Sequence, residues 1–112
     1  MIELKSARIC GSELHFYRSS NDELDGNYGK IVSHKPAGIV IQTGNAVSKF
    51  KVGDRVTINH TLGCGHCQYC HLGETVLCST GKGMALADAG ANTNVLKLLE
   101  DACLELSENI SF

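Results

Sequence analysis

The sequence predicts a mainly β domain that carries a cysteine-rich loop. The chain has 112 residues with 12 glycines and one proline, a composition that supplies many turns and fits strands better than a helix bundle. Short apolar runs bounded by turn residues also favour strands. Six cysteines are present, and four of them fall within residues 64–78. This length allows one domain with a modest core.

The N-terminal part predicts one strand and one loop. Residues 1–10 are expected to form a strand that runs into a turn at residues 10–12, Cys-Gly-Ser. Residues 21–29 are rich in Asn, Asp and Gly and predict a loop.

The middle of the chain predicts two further strands and a long irregular region. Residues 37–42 are a continuous apolar run and predict a buried strand. A turn is expected at residues 52–54, and residues 55–58 alternate in polarity as a second strand does. Residues 63–78 form the cysteine-rich loop. Residues 79–92, rich in Ala and Gly, are expected to be irregular.

The C-terminal stretch allows two interpretations. Apolar residues fall at helical spacing, and Thr93 could cap such a helix; these residues are Val95, Leu98, Leu99, Ala102 and Leu106. Residues 103–106, however, alternate in polarity like a strand. Periodicity alone favours the helix.

Charge and hydropathy exclude several classes of protein. Ten basic and 12 acidic residues give a net charge of -2, which argues against a nucleic-acid interface. The apolar runs are far shorter than the roughly 20 residues that span a bilayer, so no membrane partner is expected. Residues 1–8 lack the apolar centre of a signal peptide. The cytoplasm is the predicted location, where clustered cysteines are metal ligands more often than disulfides.

The cysteine loop has the spacing C-x2-C-x2-C-x7-C, formed by Cys64, Cys67, Cys70 and Cys78. Four thiolates suit tetrahedral zinc, and a site closed by four sulfurs is structural. Gly63, Gly65 and Gly73 allow a tight backbone there. His66 and His71 are expected to face solvent. A redox C-x-x-C pair or an iron–sulfur cluster are the alternative interpretations.

Several segments occur in the order and at the spacing of one enzyme family. Residues 9–15 read Ile-Cys-Gly-Ser-Glu-Leu-His, residues 34–40 read His-Lys-Pro-Ala-Gly-Ile-Val, and residues 50–56 read Phe-Lys-Val-Gly-Asp-Arg-Val. Together with the cysteine loop and with residues 101–112, they resemble the motifs of the zinc-dependent medium-chain alcohol dehydrogenases.

The resemblance implies a fold and a domain organisation. It implies a GroES-like irregular β-barrel with a protruding structural-zinc loop at about residues 63–79. Residues 1–112 would be a single, partial catalytic domain that lacks the family's first strands and its NAD(P)-binding Rossmann domain. The C-terminal stretch would be strand, turn and strand, against the helical periodicity.

The resemblance also implies a catalytic zinc and a proton relay. Cys10 and His34 match two ligands of the zinc that polarises the substrate oxygen. Ser12 matches the residue that passes the alcohol proton onward, and His15 the outer end of that relay. Glu13 would orient His34, as carboxylates orient zinc-bound imidazoles. Without the resemblance, a lone cysteine or histidine would be read as an ordinary packing residue.

Two positions depart from the family pattern. Lys35 replaces the glutamate that follows the motif histidine, and a protonated lysine cannot bind zinc. Ser33 replaces the preceding glycine. The family's third ligand comes from the missing domain, and Cys103 is a poor substitute for it. His60 has no matched role and is expected to be structural.

The predicted function is therefore that of the zinc-binding catalytic portion of an NAD(P)-dependent alcohol or polyol dehydrogenase. Such enzymes oxidise a small alcohol to an aldehyde or ketone by hydride transfer. The isolated chain is expected to be inactive, because NAD(P) requires the Rossmann domain. One alternative is a zinc-bearing binding or oligomerisation module that pairs with its own copy or with a separate cofactor domain. Another is a redox sensor built on the four clustered cysteines.

Overall fold

The computed structural model describes residues 1–19, 31–83 and 90–112, in which strands outnumber helices. The strands are β1 (Ile2–Ala7), β2 (Pro36–Val40), β3 (Arg55–Ile58), β4 (Thr61–Leu62), β5 (Lys82–Gly83), β6 (Val95–Leu96) and β7 (Cys103–Glu105). The helices are α1 (Gly11–Arg18) and α2 (Gln68–His71), with 3-10 turns at Thr75–Leu77 and Glu100–Ala102.

Five strands form an antiparallel sheet in the order β6-β1-β2-β3-β7. β4 and β5 pair separately as a short two-stranded ribbon. The predicted mainly β class is confirmed, and the sheet is irregular and does not close into a barrel within the described residues. None of the helices described there is long and apolar enough to cross a membrane.

The pairing of β1 with β2 requires a glycine on β2. Gly38 lies opposite Leu4, next to the point where the register shifts between Leu4 and Ser6. A Cβ atom at position 38 would lie 2.2 Å from the Glu3 backbone oxygen. The two strands approach this closely only because glycine has no side chain.

The core is small. It lies on one face of the sheet and includes residues of the segments that connect the strands. It consists of buried apolar residues: Ile2, Val40, Val56, Ile58, Ala91, Leu96 and Ala102. Exposure alternates along β2 and β3, so every second residue faces this core. This pattern fixes the register of the strands.

The strands predicted at residues 37–42 and 55–58 are confirmed as β2 and β3. The prediction of a turn at residues 10–12 is wrong, because helix α1 begins at Gly11. Glu13 explains the helix: its carboxylate accepts the backbone N–H of Cys10 and caps the first turn.

In the C-terminal stretch, the helix predicted from periodicity is wrong, and the strand, turn and strand implied by the resemblance are confirmed as β6, the 3-10 turn and β7. The loop predicted at residues 21–29 lies outside the described residues. So do residues 84–89 of the region expected to be irregular, in which Lys82–Gly83 forms β5.

Candidate metal centres

The four clustered cysteines converge in a lobe that begins and ends at the β4–β5 ribbon; these are Cys64, Cys67, Cys70 and Cys78. Their sulfur atoms all lie within 4.8 Å of one another. The Cys64 and Cys70 sulfurs are 4.0 Å apart, and those of Cys67 and Cys70 are 3.5 Å apart. Four sulfurs around one tetrahedral zinc lie about 3.8 Å apart, given Zn–S bonds of about 2.3 Å. The spacing fits that ion.

Local backbone geometry brings these sulfurs together. Cys67 precedes α2 and Cys70 lies within it, so one helical turn separates the two thiols. Gly65 and Gly73 both adopt φ = 81°, the left-handed region that favours glycine. A Cβ atom at Gly63 would lie 2.5 Å from the Cys70 sulfur, so the chain passes directly against the cluster.

Hydrogen bonds and the crowding of the sulfurs shift the pKa values of the lobe cysteines in opposite directions. The backbone N–H of Cys64 and the Thr80 hydroxyl lower the pKa of Cys78 to about 6. The backbone N–H of His66 lowers the pKa of Cys64. The N–H of Gly65 acts in the same direction on Cys70, but desolvation and the neighbouring thiols raise its pKa to about 11. Backbone donors thus favour thiolates at Cys64 and Cys78, whereas the crowding of the sulfurs opposes the ionisation of Cys70.

His66 and His71 are exposed, as predicted, and do not belong to the sulfur cluster.

A second group of polar residues lies where β1 ends and β2 begins. Cys10 follows β1 and precedes α1, while His34 and Lys35 precede β2. The backbone N–H of Arg8 donates to the Lys35 carbonyl oxygen at 3.1 Å, which holds the two segments side by side. His34 is half-buried and Lys35 is exposed.

The Cys10 thiol is surrounded by hydrogen-bond donors. The Ser12 hydroxyl and backbone N–H lower its pKa to about 6, with further contributions from the side chains of Lys35 and His34. The structure thus brings together Cys10, Ser12 and His34. His15 lies on the next turn of α1 with an exposed side chain.

Glu13 lies beneath this group. It is 9% exposed, and one carboxylate oxygen accepts the Cys10 backbone N–H. The other oxygen, Oε1, is buried and has no hydrogen-bond partner. A buried, unpartnered carboxylate oxygen is costly unless a donor or a cation comes near it.

Ser33 adopts a backbone conformation that favours glycine. It is fully buried, with φ = 84°. Its hydroxyl donates to the Arg8 carbonyl oxygen over 3.5 Å, which is a weak contact. The position therefore has, at a cost in backbone strain, a conformation that glycine adopts more readily than serine.

His60 is the neighbour that the sequence interpretation missed. Its ring centroid lies 5.4 Å from that of His34, with the planes tilted by 44°. The pairs Ala37–Thr57 and Gly38–Val56 fix the register of β2 against β3. Continuing that register past the ends of both strands places His34 opposite His60, so a correct pairing of the two predicted strands could have found this contact.

Cys103 lies apart from these contacts, on β7. Its thiol contacts the Leu99 carbonyl oxygen at 3.7 Å, and desolvation raises its pKa.

Comparison with known proteins defines the class to which this fold belongs. The family model described as the alcohol dehydrogenase GroES-like domain matches residues 1–108. The chain therefore belongs to the zinc-dependent medium-chain alcohol dehydrogenase family.

Its relatives are longer dehydrogenases. The chain is 32% identical to the L-threonine 3-dehydrogenase of Pseudoalteromonas atlantica over 99% of its length and 33% of the relative's. It is also 32% identical to the sorbitol dehydrogenase of Bacillus subtilis, over 100% of its length and 32% of the relative's. The chain thus spans about a third of the length of the curated relatives it matches.

Solved structures of dehydrogenases contain the same fold. An Escherichia coli oxidoreductase/dehydrogenase of unknown specificity superposes with a TM-score of 0.84 at 34% identity, over 98% of this chain and 33% of that one. An NAD-dependent alcohol dehydrogenase superposes with a TM-score of 0.84 at 26% identity, over 99% of this chain and 32% of that one.

Proposed function

We propose that this chain is the zinc- and substrate-binding portion of an NAD(P)-dependent alcohol or polyol dehydrogenase. The observation that carries the proposal is the grouping of Ser12 and His34 around the Cys10 thiol. Cys10 and Ser12 belong to one of the motifs that resemble the family's, and His34 belongs to another that is distant in sequence. The names of the relatives, L-threonine 3-dehydrogenase and sorbitol dehydrogenase, support a small hydroxylated substrate.

The lobe, at about residues 63–79, is proposed to hold a structural zinc. The donor set is entirely sulfur, and four sulfurs fill a tetrahedral ion without leaving a position for substrate. Its ligands would be Cys64, Cys67, Cys70 and Cys78. The lobe has only short secondary structure, and none of its residues belongs to the apolar core; Leu62, just before the lobe, packs against that core. The metal would therefore supply much of the rigidity of the lobe.

Cys10 and His34 are proposed to hold a second zinc. When bound, this ion supplies Lewis-acid polarisation of the substrate hydroxyl. Ser12, one residue beyond Gly11 on α1, would accept the hydroxyl proton, and the exposed His15 would pass it to solvent. The Lys35 side chain helps to lower the pKa of the Cys10 thiol, and metal binding would displace its ammonium group.

Residues 1–112 are proposed to form one GroES-like catalytic domain, and the nicotinamide cofactor is proposed to be held by a Rossmann domain that these residues do not include. The cytoplasm is the proposed compartment. All six cysteines carry free thiols, which fits a reducing environment.

The proposal can be tested on the chain itself by replacing zinc with cobalt. Cobalt at a site with an open position changes its visible absorption when a small alcohol or polyol, such as threonine or sorbitol, binds. We expect such a change in the unaltered chain and in Cys103→Ser, and none in Cys10→Ser. An absence of any change with either substrate in the unaltered chain, or an equal change in Cys10→Ser, would refute the proposal.

A further inference from the structure

The rings of two histidines, His34 and His60, lie close together, and His34 acts on the Cys10 thiol; only His34 has a role in the proposed function. We infer that the other, His60, is the third protein ligand of the metal held by Cys10 and His34. This inference rests on the proposed function and adds to it a ligand from within the chain.

Strand pairing places His60 opposite His34. The register of β2 against β3 runs through Ala37–Thr57 and Gly38–Val56, and its continuation brings the two histidines into one pair. Residues so placed project to the same side of the sheet.

The separation of the rings suits a shared ion. Their centroids are 5.4 Å apart. Two imidazoles that bind one tetrahedral zinc through nitrogen, at about 2.1 Å, have centroids about 5 Å apart. The two rings can therefore close on one metal with little backbone movement. His60 is exposed at the surface.

The site needs such a ligand. A catalytic zinc takes about three protein ligands and keeps one position open. Cys10 and His34 supply two, and Lys35 stands where the family has a glutamate. Among the residues that the structure describes, only the four lobe cysteines already have all ligand atoms within 4.8 Å of one another. We therefore expect the set of Cys10, His34 and His60 to close by side-chain rotation when the metal enters.

Glu13 provides an independent indication of a cation or a polarised donor at this place. Its buried Oε1 atom lacks a partner, although its other oxygen is fixed by the Cys10 backbone. Ligand histidines commonly donate their second ring N–H to a carboxylate, and metal ligation polarises that N–H. A metal bound at Cys10 would supply the partner that Oε1 of Glu13 lacks, either as a nearby positive charge or through the N–H of a ligand histidine.

The test is a zinc titration of the full chain, followed by elemental analysis and by the nitrogen shifts of the histidine rings. We expect two binding steps, with ring shifts of His34 and His60 in the second. His60→Ala should retain the lobe zinc and weaken the second step at least about tenfold. His71→Ala, which removes an exposed histidine of the lobe, should bind as the unaltered chain does.

Two outcomes separate this inference from the proposed function. If Cys10→Ser and His34→Ala lose the second zinc while His60→Ala keeps it at unchanged affinity, the role of His60 is wrong and the proposed site stands. If all three variants keep the second zinc, the proposed site itself is wrong. Retention of the lobe zinc and an unchanged circular dichroism spectrum show that each variant is folded.

Discussion

The close contact between Gly63 and the sulfur cluster predicts that a side chain at position 63 disturbs the lobe. A Cβ atom at position 63 would lie 2.5 Å from the Cys70 sulfur and 3.2 Å from a Thr75 methyl carbon. Non-bonded heavy atoms approach to about 3.5 Å, so Gly63→Ala has to displace the sulfur by about 1 Å. Metal–sulfur distances tolerate changes of only about 0.2 Å. The substitution therefore removes a ligand or distorts the lobe.

We expect Gly63→Ala to weaken zinc binding by the lobe at least about tenfold, which corresponds to about 1.4 kcal/mol. The assay is competition for zinc between the chain and a chromophoric chelator, and the more tightly bound zinc is assigned to the lobe. Gly83→Ala is the matched control, because it lies on β5 at the base of the same lobe and its Cβ atom would meet nothing within 4 Å. Equal zinc affinity in the two variants would refute the proposed packing of the lobe.

Three further predictions concern stability. Gly38→Ala places a Cβ atom 2.2 Å from the Glu3 backbone oxygen and should lower the free energy of unfolding, measured by urea titration, by about 3 kcal/mol or more. The control Gly44→Ala, whose Cβ atom has no neighbour within 4 Å, should change it by less than about 0.5 kcal/mol. Ser33→Gly should raise it by about 0.5 to 1 kcal/mol, because relief of the left-handed strain exceeds the entropy cost of glycine; a loss would contradict this. The backbone N–H groups of residues 49 and 48 lower the pKa of Glu100 from 4.5, so its carboxylate stabilises the fold above that pH and loses this effect as the pH falls below it. Glu100→Gln should accordingly be less stable than the unaltered chain at pH 7 and should approach it in acid, and an equal deficit at both pH values would contradict the assignment.

Local pattern and spacing predicted the central strands and the cysteine cluster well. Residues 37–42 and 55–58 combine an apolar face with turn residues at their ends, so local sequence determines them. The cysteine spacing brings its sulfurs together because the ligands lie close in sequence and the loop has few ways to close.

Other features depend on contacts that local sequence does not contain. Helix α1 begins at Gly11 because the Glu13 carboxylate caps it, although the neighbouring Cys-Gly-Ser is typical of a turn. The C-terminal stretch has helical periodicity, but β6 pairs with β1 and β7 pairs with β3, and sheet pairing overrides the local preference. The contact between His34 and His60 needs the register of two strands, which neither strand contains alone.

The central claim is that this chain binds zinc at its four-cysteine lobe and at Cys10. The most direct test is the zinc content of protein purified without chelator or added metal, measured by elemental analysis. We expect about two zinc ions per chain, with one lost on Cys10→Ser and the lobe zinc lost on Cys67→Ser. A zinc content near zero with fully reduced thiols, or a content that Cys67→Ser or Cys10→Ser leaves unchanged, would contradict the account.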